Sequence, residues 1–156
     1  MSVLIYIDIA DGQIKKTSLE AASYGAKLAA QMGTTAEAVV LGSVTEDLAS
    51  LGQYGISKVH QVNDAALNQL DAQVHAQAVA EIAGSTGATV IVFSHNLNGK
   101  AIAPRVSARL KAGLVAGAVA LPDTSNGFTV KKNVFSGKAF ANVSVNTPVK
   151  IISLNP

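Results

Sequence analysis

The chain alternates nearly unbroken apolar runs with longer segments whose apolar residues recur every three or four positions. Val3 to Ile9, Ala36 to Leu41 and Thr89 to Phe93 are runs of the first kind, the pattern of strands covered on both faces by helices. Lys58 to Val62 reads as a further strand between the second and third of these, with residues 54–57 as its lead-in. Helical spacing fills the gaps. Leu19, Ala22, Ala26 and Ala29 or Ala30 precede a stop at Gly33, and Val74, Ala78 and Ile82 precede Gly84 and Gly87, glycines being the usual helix terminators.

Local signals refine this. Ala10-Asp11-Gly12 predicts a turn, followed by a short extended piece at Ile14-Lys15-Lys16. Thr17-Ser18-Leu19-Glu20 and Ser43-Val44-Thr45-Glu46 have the form of capping boxes. The second predicts a short helix to about Gln53. Asp64 and Asp71 are candidate caps for a single helical turn and for the helix carrying Val74. Three strand-helix alternations leading into a fourth strand predict a parallel sheet with right-handed crossovers.

That fourth strand, Val90 to Phe93, gives way abruptly to Ser94, His95, Asn96, Asn98 and Lys100. The carboxyl ends of strands are where open α/β sheets bind ligands. Ile102, Val106 and Leu110 then mark one apolar face of a helix. Asn98 is a candidate cap, but that start would leave Pro104 inside the helix, where proline costs about 3 kcal/mol. The preferred reading is therefore a tight turn over residues 99–102 and a regular helix from about Ala103, with Pro104 in its first turn.

Beyond Leu110 the helical pattern ceases. Leu114 to Leu121 is an apolar strand, and Phe128 to Val134, Lys138 to Val145 and Val149 to Leu154 follow as three more. Their short connections predict antiparallel neighbours. The expected fold is α/β: a three-layer sandwich with a mainly parallel sheet and added antiparallel strands at the carboxyl-terminal end. A single domain spans residues 1–156, with the α/β core over about 1–121 and the antiparallel strands over about 122–156.

Composition narrows the chemistry. Aromatics are only 4% of the 156 residues and the net charge is +2, which argues against a nucleic-acid platform. There is no cysteine, hence no thiolate nucleophile or thiolate metal site. The apolar stretch after Met1 lacks a basic flank and is too short for a signal peptide or a spanning helix. His60, His75 and His95 share no metal-ligand spacing; the first two are expected at the surface, and His95 is the one at a strand end. No G-x-G-x-x-G or G-x-x-x-x-G-K-[ST] occurs, and the turn after the first strand lacks the Ser-Gly-Gly phosphate loop of ATP pyrophosphatases. Asn98-Gly99-Lys100 before a helix is either an anion-binding entry or a glycine turn with a solvated lysine. Lys100 and Arg105 are candidates to face the crevice, and Arg109 reads as a surface charge.

Taken together, VLIYID, KKTSLEAAS, YGISKVHQV, HNLNGKAIAPRVSARLKAGLVAGAVAL and VFSGKAFANV resemble the amino-terminal domain of the electron transfer flavoprotein alpha subunit, and the resemblance covers essentially the whole chain. It implies a fold related to adenine nucleotide alpha hydrolases. It also implies an electron carrier, not an enzyme with its own substrate: a heterodimer with a beta subunit that holds FAD, takes electrons from dehydrogenases such as those acting on acyl-CoA, and passes them to a quinone oxidoreductase. AMP is expected in the beta subunit, the main FAD site outside this chain, and a bacterial cytoplasmic location. No nucleic acid, metal or direct membrane insertion is implied. For this domain the resemblance implies a scaffold that packs on the beta subunit, with Asn98, Gly99, Lys100 and Arg105 as cleft candidates for cofactor contact and no tightly bound FAD of its own. The chain departs from the family where Ala116-Gly117 replaces a frequent Ser-Asp pair and Ser57 a frequent aspartate. The alternative reading is a stand-alone adenine-nucleotide-binding module of universal-stress type, although that group's spaced-glycine loop is not recognisable after the fourth strand.

Overall fold

The computed structural model describes residues 1–156. Its centre is an eight-stranded sheet. The strands, in chain order, are β1 (Ser2–Ile7), β4 (Thr35–Leu41), β5 (Ile56–Val62), β6 (Ala88–Ser94), β7 (Gly113–Ala118), β8 (Thr129–Val134), β9 (Ala139–Ser144) and β10 (Lys150–Leu154), while β2 (Ile9–Ala10) and β3 (Gln13–Ile14) form a separate small hairpin. The spatial order is β5-β4-β1-β6-β10-β7-β8-β9, with every pair from β5 to β7 parallel and β8 and β9 antiparallel. Helix α1 (Lys16–Met32) covers one face, and α2 (Ala72–Thr86) and α3 (Leu97–Leu110) cover the other.

The apolar runs explain the layering. All six residues of β1 are buried, because Val3, Ile5 and Ile7 point toward α1 while Leu4 and Tyr6 point toward α2 and α3. Ile91, Phe93, Ile102 and Val106 fill the second face. Each fully buried side chain of this size contributes roughly 1.5–3 kcal/mol.

The expected mainly parallel sheet with antiparallel additions is present, but the last strand is not one of the additions. β10 does not pair with β9; it returns to the middle of the sheet and lies parallel between β6 and β7. Ile151 and Ile152 are adjacent and both fully buried, which requires a covered layer on each face. An edge position beside β9 would leave one of them in water.

Helix starts differ from the capping-box readings. Helix α1 begins at Lys16 without a side-chain cap, and Ser18 lies buried with its Oγ accepting from the Asp8 N–H at 2.7 Å. Residues 43–45 form no helix. Glu46 accepts from the Ile14 N–H and Thr45 donates to the Gly12 carbonyl, so the second box braces the β2–β3 turn. A 3₁₀ segment starts only at Leu48, capped by Asp47. Asp64 and Asp71 cap as expected.

Helix α3 starts at Leu97, six residues before the expected position, with Asn96 rather than Asn98 as its cap. Pro104 is therefore internal. It has no N–H for the Lys100 carbonyl, but both residues are exposed, a position where solvent is at hand for the unpaired carbonyl.

Candidate functional site

The chain runs outward from β1 to β4 and β5, then returns to β6 on the other side of β1. The carboxyl ends of β1 and β6 thus flank the point where strand order reverses, the usual ligand crevice of such sheets.

Asp8 directly follows β1 there and is only 3% exposed. A buried carboxylate needs partners, and four contacts supply them. Lys15 Nζ lies 3.2 Å away, Asn96 Nδ2 donates at 3.0 Å, and Asn98 Nδ2 reaches both carboxylate oxygens at 3.0 and 3.2 Å. Asn96 also turns its Oδ1 to the Gly99 N–H at 2.9 Å. A protein carboxylate therefore sits before the positive end of α3, where a bound anion was one expectation.

Beside Asp8 lies a cavity of about 400 Å³. Tyr6, Asp11, Ser43, Asn68 and His75 are among the residues that line it. Its lining carries the Asp8 and Asp11 carboxylates and no lysine or arginine, a field that disfavours phosphate. His75, expected at the surface, is buried: its Nδ1 accepts from the Tyr6 hydroxyl at 2.9 Å, and its Nε2 donates to the Leu67 carbonyl at 3.1 Å. This double bond to fixed partners sets the tautomer and ties α2 to β1. Burial first, and the Asp8 charge second, push the Tyr6 phenol well above its ordinary range. His60 is also not free at the surface, because it pairs with Glu37 across β4 and β5 at 2.6 Å.

On the far side of β6, His95 Nδ1 is hydrogen-bonded to the Ser153 hydroxyl at 2.9 Å, while Ser153 Oγ accepts from the Gly117 N–H at 3.2 Å. Gly117 is the bulged residue between Ala116 and Ala118 and has φ +86°. Desolvation first, then the positive charges of Lys100 and Lys132, hold the His95 pKa below 6.5. Its unfolded pKa is therefore the higher one, and the unfolded chain binds more protons between the two values. Stability is expected to rise with pH through that window and to fall as pH drops below about 6.5. Urea unfolding midpoints between pH 5 and 8 check this, and His95→Gln should flatten that part of the profile. An unchanged slope in the variant would remove His95 as its source.

The four sequence candidates separate. Asn98 joins Asp8, and Gly99 is buried against the Ser94 carbonyl. Lys100 is exposed, near enough to bear on His95. Arg105 is exposed and bonds the Ala101 carbonyl of its own helix at 2.7 Å. Sequence reasoning missed Asp8, although one charge inside VLIYIDI was the available signal. Nothing in IISL marks Ser153.

Comparison with known proteins agrees with this architecture. A family model described as the electron transfer flavoprotein domain matches residues 3–156. The electron transfer flavoprotein subunit alpha of Bacillus subtilis (strain 168) is 25% identical over 155 residues, covering 99% of this chain and 47% of the relative. That of Syntrophomonas wolfei is 27% identical over 142 residues, covering 90% and 44%. Subunit LctC of the lactate dehydrogenase (NAD(+),ferredoxin) of Acetobacterium woodii is 27% identical over 143 residues, covering 90% and 34%. The chain thus spans about half the length, or less, of the curated relatives it matches. With a match across nearly the whole sequence and a mostly parallel sheet of the expected kind, the chain belongs to the electron transfer flavoprotein family.

Proposed function

We propose that this chain is the scaffold and partner-contacting domain of a heterodimeric, FAD-containing electron carrier, corresponding to the amino-terminal domain of the alpha subunit. The family match over residues 3–156 is the observation that carries this reading. The flavin performs the redox chemistry, while the protein sets its position and surroundings. On this reading the principal FAD contacts lie outside these residues. Asn98, Gly99, Lys100 and Arg105 contribute at most a wall of the cleft, and AMP belongs to the beta subunit. Electrons come from dehydrogenases, acyl-CoA dehydrogenases among them, and go to a quinone oxidoreductase. The place of action is the bacterial cytoplasm; no helix is long and apolar enough to cross a membrane.

Contact with a beta subunit is supported by the edge hairpin β8–β9. Phe135 and Phe140 are 78% and 59% exposed, apolar area of the kind a partner covers. Co-expression with the beta subunit should recover a one-to-one complex, and Phe140→Ser should weaken it without changing the fold. The chain alone should show no sub-micromolar FAD affinity in a fluorescence titration. Finding such affinity would count against a scaffold role.

The second reading, a stand-alone adenine-nucleotide-binding module, is favoured by the size of the cavity, about 400 Å³, and opposed by its two carboxylates. Calorimetry with ATP and AMP separates the two readings, since the scaffold reading gives no heat with either at millimolar concentration.

A further inference from the structure

Asparagine followed by glycine occurs twice, at Asn98-Gly99 and Asn126-Gly127. The pair carries its own chemistry, because glycine has no side chain to keep its backbone nitrogen from the carboxamide one residue before it. After the other asparagines the next residue is never glycine; Val134 and Val143, for example, crowd the approach to Asn133 and Asn142. The fold treats the two Asn-Gly pairs in opposite ways.

Asn98-Gly99 is withheld. Asn98 Nδ2 is held by both oxygens of Asp8 at 3.0 and 3.2 Å, the Gly99 N–H is given to Asn96 Oδ1 at 2.9 Å, and both residues lie in the first turn of α3. A helical backbone and two engaged groups leave no path for one to attack the other. Asn126-Gly127 is free. It occupies the exposed loop between Asp123 and Thr129, whose backbones exchange bonds of 2.8 and 3.0 Å. Asp123 Oδ1 fixes Ser125 through its N–H and hydroxyl at 3.0 and 2.6 Å, and Gln31 of α1 fixes Pro122 and Thr124. The anchoring stops there. Neither the Asn126 side chain nor the Gly127 N–H has a partner in the chain, and beyond the chain neighbours no atom lies within 4 Å of where a Cβ on Gly127 would stand.

We propose that Asn126 is a site of spontaneous deamidation, at which the folded chain acquires aspartate and isoaspartate while Asn98 is preserved. The Gly127 nitrogen, after losing its proton, attacks Asn126 Cγ. The N–Cγ bond forms as the Cγ–Nδ2 bond breaks, and the carboxamide nitrogen takes up a proton and leaves as ammonia. Water then opens the five-membered imide at one of its two carbonyls, and the new carboxyl group releases a proton. One opening gives aspartate; the other gives isoaspartate, whose main chain is longer by one methylene. Either product puts a carboxylate into a stretch, residues 124–156, that has four lysines and no acidic residue. The isoaspartyl link also lengthens a loop whose ends are fixed at Asp123 and Thr129 and whose neighbouring Phe128 is buried. The reaction is independent of the subunit assignment.

The test is to age the folded 156-residue chain at mildly alkaline pH, digest it with trypsin and read the mass gained when an amide becomes an acid. Peptide 112–131 contains Asn126 as its one asparagine, and peptide 59–100 contains Asn98, which fragmentation separates from its neighbours. Deamidation at Asn126 is expected to be at least about tenfold faster than at Asn98, since misplaced reacting groups slow a reaction by that much or more. Asn126→Gln, a replacement at an exposed position, should abolish the mass gain in peptide 112–131, because a ring larger by one atom closes far more slowly. A parallel sample in guanidinium chloride removes the fold, and there the two asparagines should react at similar rates. Equal rates in the folded chain, no reaction at Asn126, or a preference for Asn126 that persists unchanged in guanidinium overturns the proposal. None of these outcomes bears on recovery of a complex with a beta subunit.

Discussion

Gly99→Ala is expected to destabilise the chain by about 3 kcal/mol or more, and to lower its yield accordingly. A Cβ at this position would stand 1.8 Å from the Ser94 carbonyl oxygen and 3.0 Å from its carbon. Both atoms are backbone and belong to the buried end of β6, so neither side can give way cheaply. Relief would require α3 to move off the sheet, taking with it Ile102, Ala103 and Val106, each at most 1% exposed. The matching control is Gly84→Ala. Gly84 lies in α2 with no atom near its would-be Cβ, and alanine there should stabilise by roughly 0.5–1 kcal/mol through better helix propensity. Urea denaturation of the two variants gives opposite signs if close backbone approach is the reason for glycine at 99. Equal or negligible effects would show that the entry of α3 yields easily.

The same residue shows how far the sequence could be read. Gly99 was visible as part of a helix entry and was open to interpretation as an anion-binding loop. Its tight contact with Ser94 depends on the angle at which α3 meets β6, a tertiary quantity that no local pattern encodes. Pro104 misled in the opposite direction. Local propensity placed the helix start after Gly99, but Asn96 caps at Leu97 and the burial of Ile102 and Val106 holds the helix through the proline. Tertiary packing outweighed a local cost of about 3 kcal/mol.

The buried strands were legible because continuous apolar runs such as VIVF have few other uses. Strand order was not. Short connections favour antiparallel neighbours, and β8 and β9 obey that preference, but β10 leaves β9 and enters a slot between β6 and β7. The clue lay in residue type: Ile151 and Ile152 in succession demand two covered faces, unlike Phe140, which is exposed at the edge. For the candidate site, the segment after β6 was identified, while its partners came from elsewhere in the chain. Asp8 is 88 positions from Asn96, and Ser153 is 58 from His95. Such separations leave no periodic trace.

Asp8→Ala is expected to be the most costly change among the polar residues, about 2–4 kcal/mol, and its cause can be separated from charge pairing. Lys15 is 38% exposed by side chain, so its ammonium recovers water when Asp8 is removed, and such pairs contribute little. The amides of Asn96 and Asn98 are different. Both are half-buried and aimed at the carboxylate, and an orphaned donor costs about 1–3 kcal/mol where water cannot fully replace its partner. Loss of Asp8 also frees the Asn96 side chain that caps Gly99, so the change propagates to the start of α3. Three variants test this order: Lys15→Met should cost under about 1 kcal/mol, Asp8→Asn an intermediate amount, and Asp8→Ala the most. Combining Asp8→Ala with Asn96→Ala should cost less than the sum of the two, because both disrupt one network. If Lys15→Met proved as damaging as Asp8→Ala, the ion pair would be the dominant contact. Strict additivity in the double variant would mean that the carboxylate and the helix cap act independently.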